Sequence, residues 1–444
     1  MKLNKKLLVV AMATALPWMS AYAQSPADLQ KEIELLKGQL KMLSEKIEAM
    51  SAKVEPIEME QKVTRLEQKI ELAEDNAIKS GFKGLNVKGV IEAAYKYDTI
   101  SKVNGFKAQG GYGDETAMLE LTKEAEGGEG INWTLRLLPG SATLVHEATV
   151  SFPVAEGTRV YGGVIPDFQG YEGSFANQNL LLTHNALFDL AGPASYTGLG
   201  MTHALTKEVA LKWMVGNIDG ANDDTALASE LAAGNPLATP GSKRTVGLAY
   251  RFDWTISEYA TLGLSGAHAS SYRKFDVMAV DGGYIRGDWL FNGHVNIGSL
   301  ANGAYNGGDA KWWGVSALAG FKVTPRLQLL ARADYLNNRD NGGGTYVANY
   351  LNNANAVDAV TGLAVLADTS GLGPELNSGG FVIDPNVGAN LTRISLGTNY
   401  LVNPSTQWKT EVRVDQSTGS NFLDADGNFK NSKTTIGTSV VVSF

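Results

Sequence analysis

Apolar and polar side chains alternate with a period of two over most of this chain, from residue 84 to residue 444. In VKGVIEAAYKY (87–97) the odd positions are mostly apolar, whereas Lys88 and Glu92 occupy even positions. The same division occurs in RTVGLAYRFDW (244–254), LQLLARADY (327–335) and TQWKTEVRVD (406–415). Successive side chains of a β-strand point to opposite faces of the sheet, so this alternation predicts many strands with one apolar and one polar face.

Such strands can form either a soluble sandwich, with the apolar faces inside, or a transmembrane barrel, with the apolar faces in lipid. Strands of about ten residues favour the barrel, and so do aromatic residues at the ends of the apolar faces. These aromatic residues are Tyr95, Tyr97, Trp254, Trp313, Trp408 and Phe444. Short connections at 153–157, 206–208, 324–326 and 403–405 alternate with long polar ones near 98–115, 166–195, 218–242, 338–389 and 416–432. This asymmetry predicts an outer-membrane barrel with tight periplasmic turns and long external loops.

A sheet that spans a membrane must close on itself, because hydrocarbon offers no partner for its backbone N–H and C=O groups. The strand-like segments predict a mainly β fold, a 16-stranded antiparallel transmembrane β-barrel, with 14 strands as the alternative. A barrel of 16 strands is wide enough to hold an aqueous channel.

The first 23 residues have the three parts of a secretory signal peptide. Lys2, Lys5 and Lys6 precede an apolar run at 7–16, and Ala21-Tyr22-Ala23 forms a small-residue cleavage site. The run is too short to span a bilayer, which needs about 20 residues. An uncleaved membrane anchor is the alternative interpretation of these residues.

The sequence predicts three parts: a signal peptide (1–23), a helical segment (24–80) and a barrel domain (81–444).

The helical segment carries a heptad repeat. Ile33, Leu40, Ile47 and Val54 occupy position a, and Leu29, Leu36, Leu43, Met50 and Ile57 occupy position d. Pro56 interrupts the helix, and the pattern resumes out of phase after it. A narrow apolar stripe needs partner helices, so we expect a coiled coil in the periplasm. A single amphipathic helix on the barrel or on a membrane surface is the alternative.

The charge argues against a nucleic-acid-binding protein, and the cysteine content excludes a disulfide-stabilised one. The formal net charge of −8 becomes about −11 once the three lysines of the signal peptide are removed, so no nucleic-acid partner is expected. The chain has no cysteine, and stability must come from burial and backbone hydrogen bonds.

The C-terminus and the domain order resemble those of known outer-membrane proteins. Val440, Val442 and the terminal Phe444 are similar to the signal that the barrel assembly machinery reads. Signal peptide, coiled coil and barrel together resemble Gram-negative porins with an N-terminal periplasmic helix, such as phosphate-selective and dicarboxylate-type trimeric porins. The stretch 177–220 also resembles the OmpL-like β-barrel porins. This likeness implies an outer-membrane homotrimer, surrounded by lipid, through which small hydrophilic solutes or ions diffuse passively.

The connection 167–193 is unusually apolar for a loop. Leu180, Leu181, Leu182, Leu187, Phe188 and Leu190 lie within eleven positions. We expect it to fold into the lumen and narrow the channel, as the third loop does in the porins it resembles. Packing over the barrel mouth or on a neighbouring subunit is the alternative.

Charged residues of the polar faces are candidates for lining the pore. By parity these are Arg136, Arg251, Arg332, Arg393 and Arg413, together with Glu147, Asp334 and Glu411. Opposite charges across a narrow pore create a transverse field that orients dipolar solutes. The alternative role is stabilisation of the wall by cross-strand ion pairs.

Other function classes find less support. The five histidines form no HExxH pair and the sequence contains no GxSxG elbow, so no enzyme is expected. DADGN (424–428) suits an Asp-Gly hairpin turn better than a calcium loop, and no metal or cofactor is expected. A plugged barrel that anchors the periplasmic coiled coil, or a selective anion porin, remains the alternative to a general channel.

Overall fold

The structure is a computed structural model that describes residues 84–102, 104–109, 117–125, 130–139, 144–218, 245–271, 274–345 and 370–444. Contacts divide the chain into two units, Met1–Leu85 and Asn86–Phe444. The signal peptide and the coiled coil expected at 1–80 lie outside the described residues.

Nineteen strands are found in the described residues. They are β1 (Leu85–Asp98), β2 (Asn104–Gln109), β3 (Ala117–Lys123), β4 (Asn132–Leu137), β5 (Val145–Ala155), β6 (Thr158–Pro166), β7 (Ser195–Ala204), β8 (Val209–Ile218), β9 (Val246–Ser257), β10 (Ala260–Ala269), β11 (Phe275–Arg286), β12 (Trp289–Leu300), β13 (Ala310–Lys322), β14 (Leu327–Asn337), β15 (Leu391–Asn403), β16 (Thr406–Ser417), β17 (Phe422–Leu423), β18 (Phe429–Lys430) and β19 (Ser432–Ser443).

Seventeen of these strands form one closed antiparallel sheet. The strands β2 and β3 both pair with β1 and together fill a single position, so the barrel has 16 positions. The pairing of β1 with β19 closes it. The prediction of 16 strands is confirmed, and the alternative of 14 is wrong. Two strands outside the barrel, β17 and β18, form a separate hairpin.

The barrel seam runs along β1 and β19, from the pair Val90–Ser443 to the pair Asp98–Thr435. Two backbone hydrogen bonds extend it by one step, since Gly89 N donates to Phe444 O (2.8 Å) and Phe444 N donates to Gly89 O (3.0 Å). A Cβ at position 89 would lie 2.2 Å from the Phe444 ring. Glycine at this position therefore leaves room for the terminal aromatic ring.

The two faces of each strand differ as the alternation predicted. In β16, Val412 and Val414 are exposed on the outer face, whereas Glu411 and Asp415 are buried on the inner face. The same division continues in β15, where Ile394 is 53% exposed and its neighbour Arg393 is buried. The outer surface is thus an apolar band suited to lipid. The inner surface carries the buried charged residues together with apolar side chains that pack against the connection 167–194.

The connections also show the predicted asymmetry. At one end of the barrel two-residue turns join strands, for example at 156–157, 287–288 and 404–405. The longest connections, including 167–194, lie at the other end, whereas the eight-residue connection 124–131 lies at the short-turn end. The predicted Asp-Gly hairpin is confirmed: Gly427 N donates to Asp424 O (2.9 Å), and Gly427 has a φ of 82°, in the left-handed region that glycine favours. Within the described ranges, no helix is both long and apolar enough to cross a membrane.

Candidate pore site

The loop between β6 and β7, residues 167–194, contains two short helical elements. A 3-10 helix spans Ala176–Gln178, and helix α1 spans Ala186–Leu190. The side chain of Asn185 caps α1 by accepting hydrogen bonds from the N–H groups of Leu187 and Phe188, both 2.9 Å long. A cap of this kind satisfies backbone donors that a first helical turn leaves unpaired.

The loop lies inside the barrel, against inward-facing glycines of the wall. A Cβ at Gly397 of β15 would stand 2.6 Å from Leu181, and a Cβ at Gly437 of β19 would stand 2.4 Å from Leu182. Any larger residue at these two wall positions would collide with the loop. The apolar loop residues are therefore accommodated by glycines that the alternation places on the polar face.

Six apolar loop residues were predicted to form a constriction. Leu181, Leu187 and Leu190 are buried, whereas Leu180, Leu182 and Phe188 are partly buried. Phe188 also stacks on the ring of His184, with ring centroids 4.2 Å apart. Leu187 and Leu190 belong to an apolar cluster that includes wall residues such as Trp312 and Leu336. Leu180 and Leu181 belong to a second cluster with Leu318 and Leu330 of the wall. Their role in narrowing a channel stays a prediction.

One group of buried charges joins the loop to strand β14. Arg332 has no exposed side-chain surface, forms an ion pair with Glu172 of the loop (2.8 Å) and donates to the carbonyls of Thr183 (2.7 Å) and His184 (2.8 Å). Asp334, two residues further on the same face, accepts from the backbone N–H of Ala186 (3.0 Å). The inner face of β14 therefore holds the loop by both charge and backbone hydrogen bonds.

Strands β15 and β16 supply a second group. Arg393 forms ion pairs with Asp189 of the loop (2.7 Å) and with Asp415 of the wall (3.0 Å). Arg413 pairs with the same Asp415 (2.9 Å). Glu411 accepts from the backbone N–H of Thr183 (2.7 Å) and from its hydroxyl (2.8 Å).

A buried lysine adds a further attachment. Lys409 of β16 is fully buried, and its Nζ donates to the carbonyl oxygens of Ala176 and Asn179. An ammonium group without such acceptors would be costly in this position. Wall strands β14 to β16 thus contact the loop along much of its length.

Burial shifts the pKa of several loop groups. For Glu172, burial raises the pKa to about 7, although the Arg332 guanidinium opposes this shift. Burial also lowers the pKa of His184, which favours a neutral ring. For Asp189, burial acts upward, but Arg393 beside it overcomes this effect and the pKa is lowered. Asp189 therefore keeps its negative charge and its ion pair.

The opposite sector of the barrel, β3 to β9, carries charges that are paired mainly within the wall. Arg136 of β4 bonds to Glu120 and Glu147, each at 2.5 Å, and its guanidinium lies 5.9 Å from the centre of the Phe175 ring.

Strand β9 of this sector contributes Arg251, which reaches across to β11. Arg251 forms a bidentate ion pair with Asp281 (2.7 and 2.8 Å) and donates a hydrogen bond to Asp253 (2.7 Å). These pairs neutralise the charges of Arg136 and Arg251.

A cavity of about 830 Å³ lies at the short-turn end of this sector. Strands β5 to β9 and the turn between β5 and β6 border it. Its lining includes Pro153, Arg159, Thr202, Ala204, Ala210 and Lys212. Glu156 and Asp253 also line it, so small apolar residues, two cationic side chains and two carboxylates share one space.

The structure places the eight charged residues predicted from parity in two groups. It brings together Arg332, Asp334, Arg393, Glu411 and Arg413 beneath the loop, and it leaves Arg136, Glu147 and Arg251 on the opposite sector. Whether any of them sets ion selectivity stays a prediction.

Sequence reasoning missed four charged residues of this site. Lys409 and Asp415 share the parity of Glu411 and could have been found by it. Glu172 and Asp189 lie in the loop, where no periodicity marks them.

The three residues predicted as an assembly signal lie on the outer face at the seam. Val440, Val442 and Phe444 are 42%, 37% and 65% exposed. Their side chains are free to be read from outside the barrel. Recognition by an assembly machinery stays a prediction.

The closed barrel of 16 antiparallel strands, with a loop folded onto its inner wall, has the architecture of outer-membrane porins. The anion-selective porin from Comamonas acidovorans has the same fold, with a TM-score of 0.52 and 11% sequence identity over 81% of this chain and 99% of that chain. The outer-membrane channel DcaP of Acinetobacter baumannii gives a TM-score of 0.49 and 11% identity over 81% of this chain and 97% of that chain.

The sequence also matches a protein-family model. This chain belongs to the family described as "Protein of unknown function (DUF3138)", whose model matches residues 107–267 and 255–444. No curated protein matches it significantly.

Proposed function

We propose that this protein is an outer-membrane channel for the passive diffusion of small hydrophilic solutes and ions. The observation that carries the proposal is a closed barrel of 16 positions whose outward-facing side chains are largely apolar and whose inner wall carries the buried charged residues. A soluble protein would gain nothing from an apolar outer surface, and a barrel this wide leaves room for water inside.

The loop 167–194 is proposed to narrow this channel. Its contacts run to strands β12 to β16 and β19 and, through Phe168 and Phe175, also to β4, β8 and β9, which supports a fixed partition across the lumen. The cavity of about 830 Å³ beside β5 to β9 would form part of the aqueous passage on the short-turn side of this partition. A partition held by buried ion pairs acts as a permanent constriction and needs no signal to open it.

Deleting residues 178–190 should raise the single-channel conductance, because the deletion removes the apolar part of the loop from the lumen. The measurement is a planar-bilayer recording of wild type and variant at equal salt. Heat-modifiable gel mobility serves as the control for a folded barrel. A folded deletion variant with unchanged conductance would contradict the constriction role.

The proposed location and partners of this channel are inferred from its likeness to porins. The outer band would contact outer-membrane lipid, the barrel assembly machinery would recognise Val440, Val442 and Phe444, and the N-terminal helix would lie in the periplasm. Self-association as a homotrimer, through the barrel and the coiled coil, completes the proposal. A plugged barrel that serves as an anchor is the competing function, and it would give no conductance.

A further inference from the structure

We infer that the two ends of the loop 167–194 and the inner face of β12 enclose a binding site for ordered water. The side chains that would hold the water are His294 and Asn296 of β12 and Gln169 of the loop. A water bridge at this place would fix the base of the loop in the barrel, in addition to the ion pairs that hold its middle. The site would exist whether or not the barrel conducts.

The three side chains carry buried polar atoms that the protein leaves unpaired. Among the described residues, four such atoms have no hydrogen-bond partner: Nδ1 and Nε2 of His294, Oδ1 of Asn296 and Oε1 of Gln169. These residues are 3%, 1% and 5% exposed, so bulk solvent does not reach them. An unpaired buried polar group is costly, and folded proteins satisfy nearly all of them with a protein group or an ordered water.

The end of the loop that leads into β7 lies over Asn296. The Asn296 Nδ2 donates to the carbonyl oxygen of Ala191 (3.1 Å). At the next loop residue, a Cβ on Gly192 would lie 3.9 Å from Gln169 Oε1. The Gln169 Nε2 in turn donates to the hydroxyl of Tyr196 (3.4 Å). Because both amide nitrogens are engaged, the amide oxygens are the atoms that still need a donor.

The end of the loop that follows β6 lies over His294, which is two residues from Asn296 on the same face of β12. A Cβ on Gly170 would lie 2.8 Å from His294 Nδ1, so the loop backbone passes directly over the ring. Asp281, opposite His294 on β11, is bound by Arg251 through both oxygens. Within the described part of the barrel His294 forms no ion pair, and an unpaired buried cation is costly, so the ring is neutral.

Water fits these hydrogen-bonding atoms better than a cation does. A neutral imidazole carries one N–H donor and one acceptor nitrogen, and the two amide oxygens are acceptors only. The missing partner must therefore both donate and accept, as water does. A cation could not accept the imidazole N–H, and it would lie near the Arg251 guanidinium that binds Asp281.

A crystal structure of the wild-type protein, at a resolution that shows ordered solvent, is the direct test. We expect density for at least one water at about 2.7–3.2 Å from a ring nitrogen of His294 and from an amide oxygen of Asn296 or Gln169. A dry site, or a metal ion bound at the same place, would overturn the inference.

A His294→Phe variant tests the site in solution, because the sign of its effect differs between a wet and a dry site. If water is bound, phenylalanine removes one of its partners, and amide hydrogen exchange within 167–194 should become about tenfold faster. If the site is dry, an apolar ring removes unpaired atoms, and exchange should be unchanged or slower. The second result would contradict the water site.

Asn292→Leu is the matched control, because Asn292 lies two residues from His294 on the same face of β12 and is half-buried. This variant should exchange like wild type, and heat-modifiable gel mobility confirms that each barrel is folded. Equal acceleration by both variants would assign the effect to the strand and not to the site. Neither measurement needs a current, so a barrel that binds this water and does not conduct would overturn the proposed function alone.

Discussion

At the residue scale, the site is defined by charges that are buried in pairs. Removing an ion pair from water is costly, and the cost is recovered only where geometry and further hydrogen bonds are good. Arg332 meets this condition, since it contacts one carboxylate and two carbonyl oxygens of the loop at 2.7 to 2.8 Å. These residues hold the loop, and their charges do not face open water.

Replacing Arg332 by Met should release the loop. Breaking a buried pair leaves Glu172 uncompensated, which costs about 3–5 kcal/mol. We expect larger and noisier single-channel currents and faster proteolysis within 167–194. Arg326→Met, in an exposed turn, is the matched control. Currents equal to those of wild type, with only a shift of the reversal potential toward cations, would instead indicate a selectivity role for Arg332.

The sequence predicted the face of each charged residue but not its contacts. Alternation places Arg332 and Arg393 inside the barrel, because a strand's side chains have a fixed period. Their loop partners Glu172 and Asp189 are 160 and 204 residues away in the sequence. A period of two carries no information about which distant segment covers a given position.

At the scale of the element, each barrel strand has a lipid-facing side whose tolerance for charge depends on depth. Leu396 lies in the middle of the outer face of β15 and is 61% exposed, whereas Thr392 lies near its loop end. Arginine costs about 2–4 kcal/mol at the bilayer midplane and about 0–1 kcal/mol near the interface.

Leu396→Arg should therefore destabilise the barrel by about 2–4 kcal/mol, and Thr392→Arg by no more than about 1 kcal/mol. The measurement is reversible unfolding by guanidinium chloride in lipid vesicles. Equal effects of the two substitutions would contradict a lipid-facing band on β15.

The closing strand β19 permits a separate test of the proposed assembly signal. Phe444→Ser should lower the amount of folded barrel in cells severalfold, because the machinery would lose the residue it reads. Refolding of the purified variant in detergent should be unchanged, since the ring is 65% exposed and adds little to the wall. Phe381→Ser is the control, because Phe381 is 62% exposed in a long connection. Equal loss of both variants in cells would argue against a terminal signal.

At the scale of the whole molecule, the number of strands and the order of turns were predictable, because membrane spanning imposes one pattern on every strand. Two details were not. The second barrel position is built from the separate strands β2 and β3, and the hairpin β17–β18 stands outside the sheet. Both depart from regular alternation, so periodicity alone gave no sign of them.

The proposed homotrimer also belongs to this scale. The mature chain should migrate as a trimer in unheated gels and give conductance steps in groups of three. Removing residues 24–80 should lower the trimer fraction and leave the conductance of each pore unchanged, because the coiled coil would add contacts between subunits and not line the pore. A monomer that conducts with single, ungrouped steps would contradict the trimer.

The conductance of the purified mature chain in planar bilayers tests the central claim most directly. A closed, polar-lined barrel predicts discrete current steps that scale with salt concentration, from a protein whose gel mobility shifts on heating. A preparation that shows the heat shift of a folded barrel but passes no current would contradict the account.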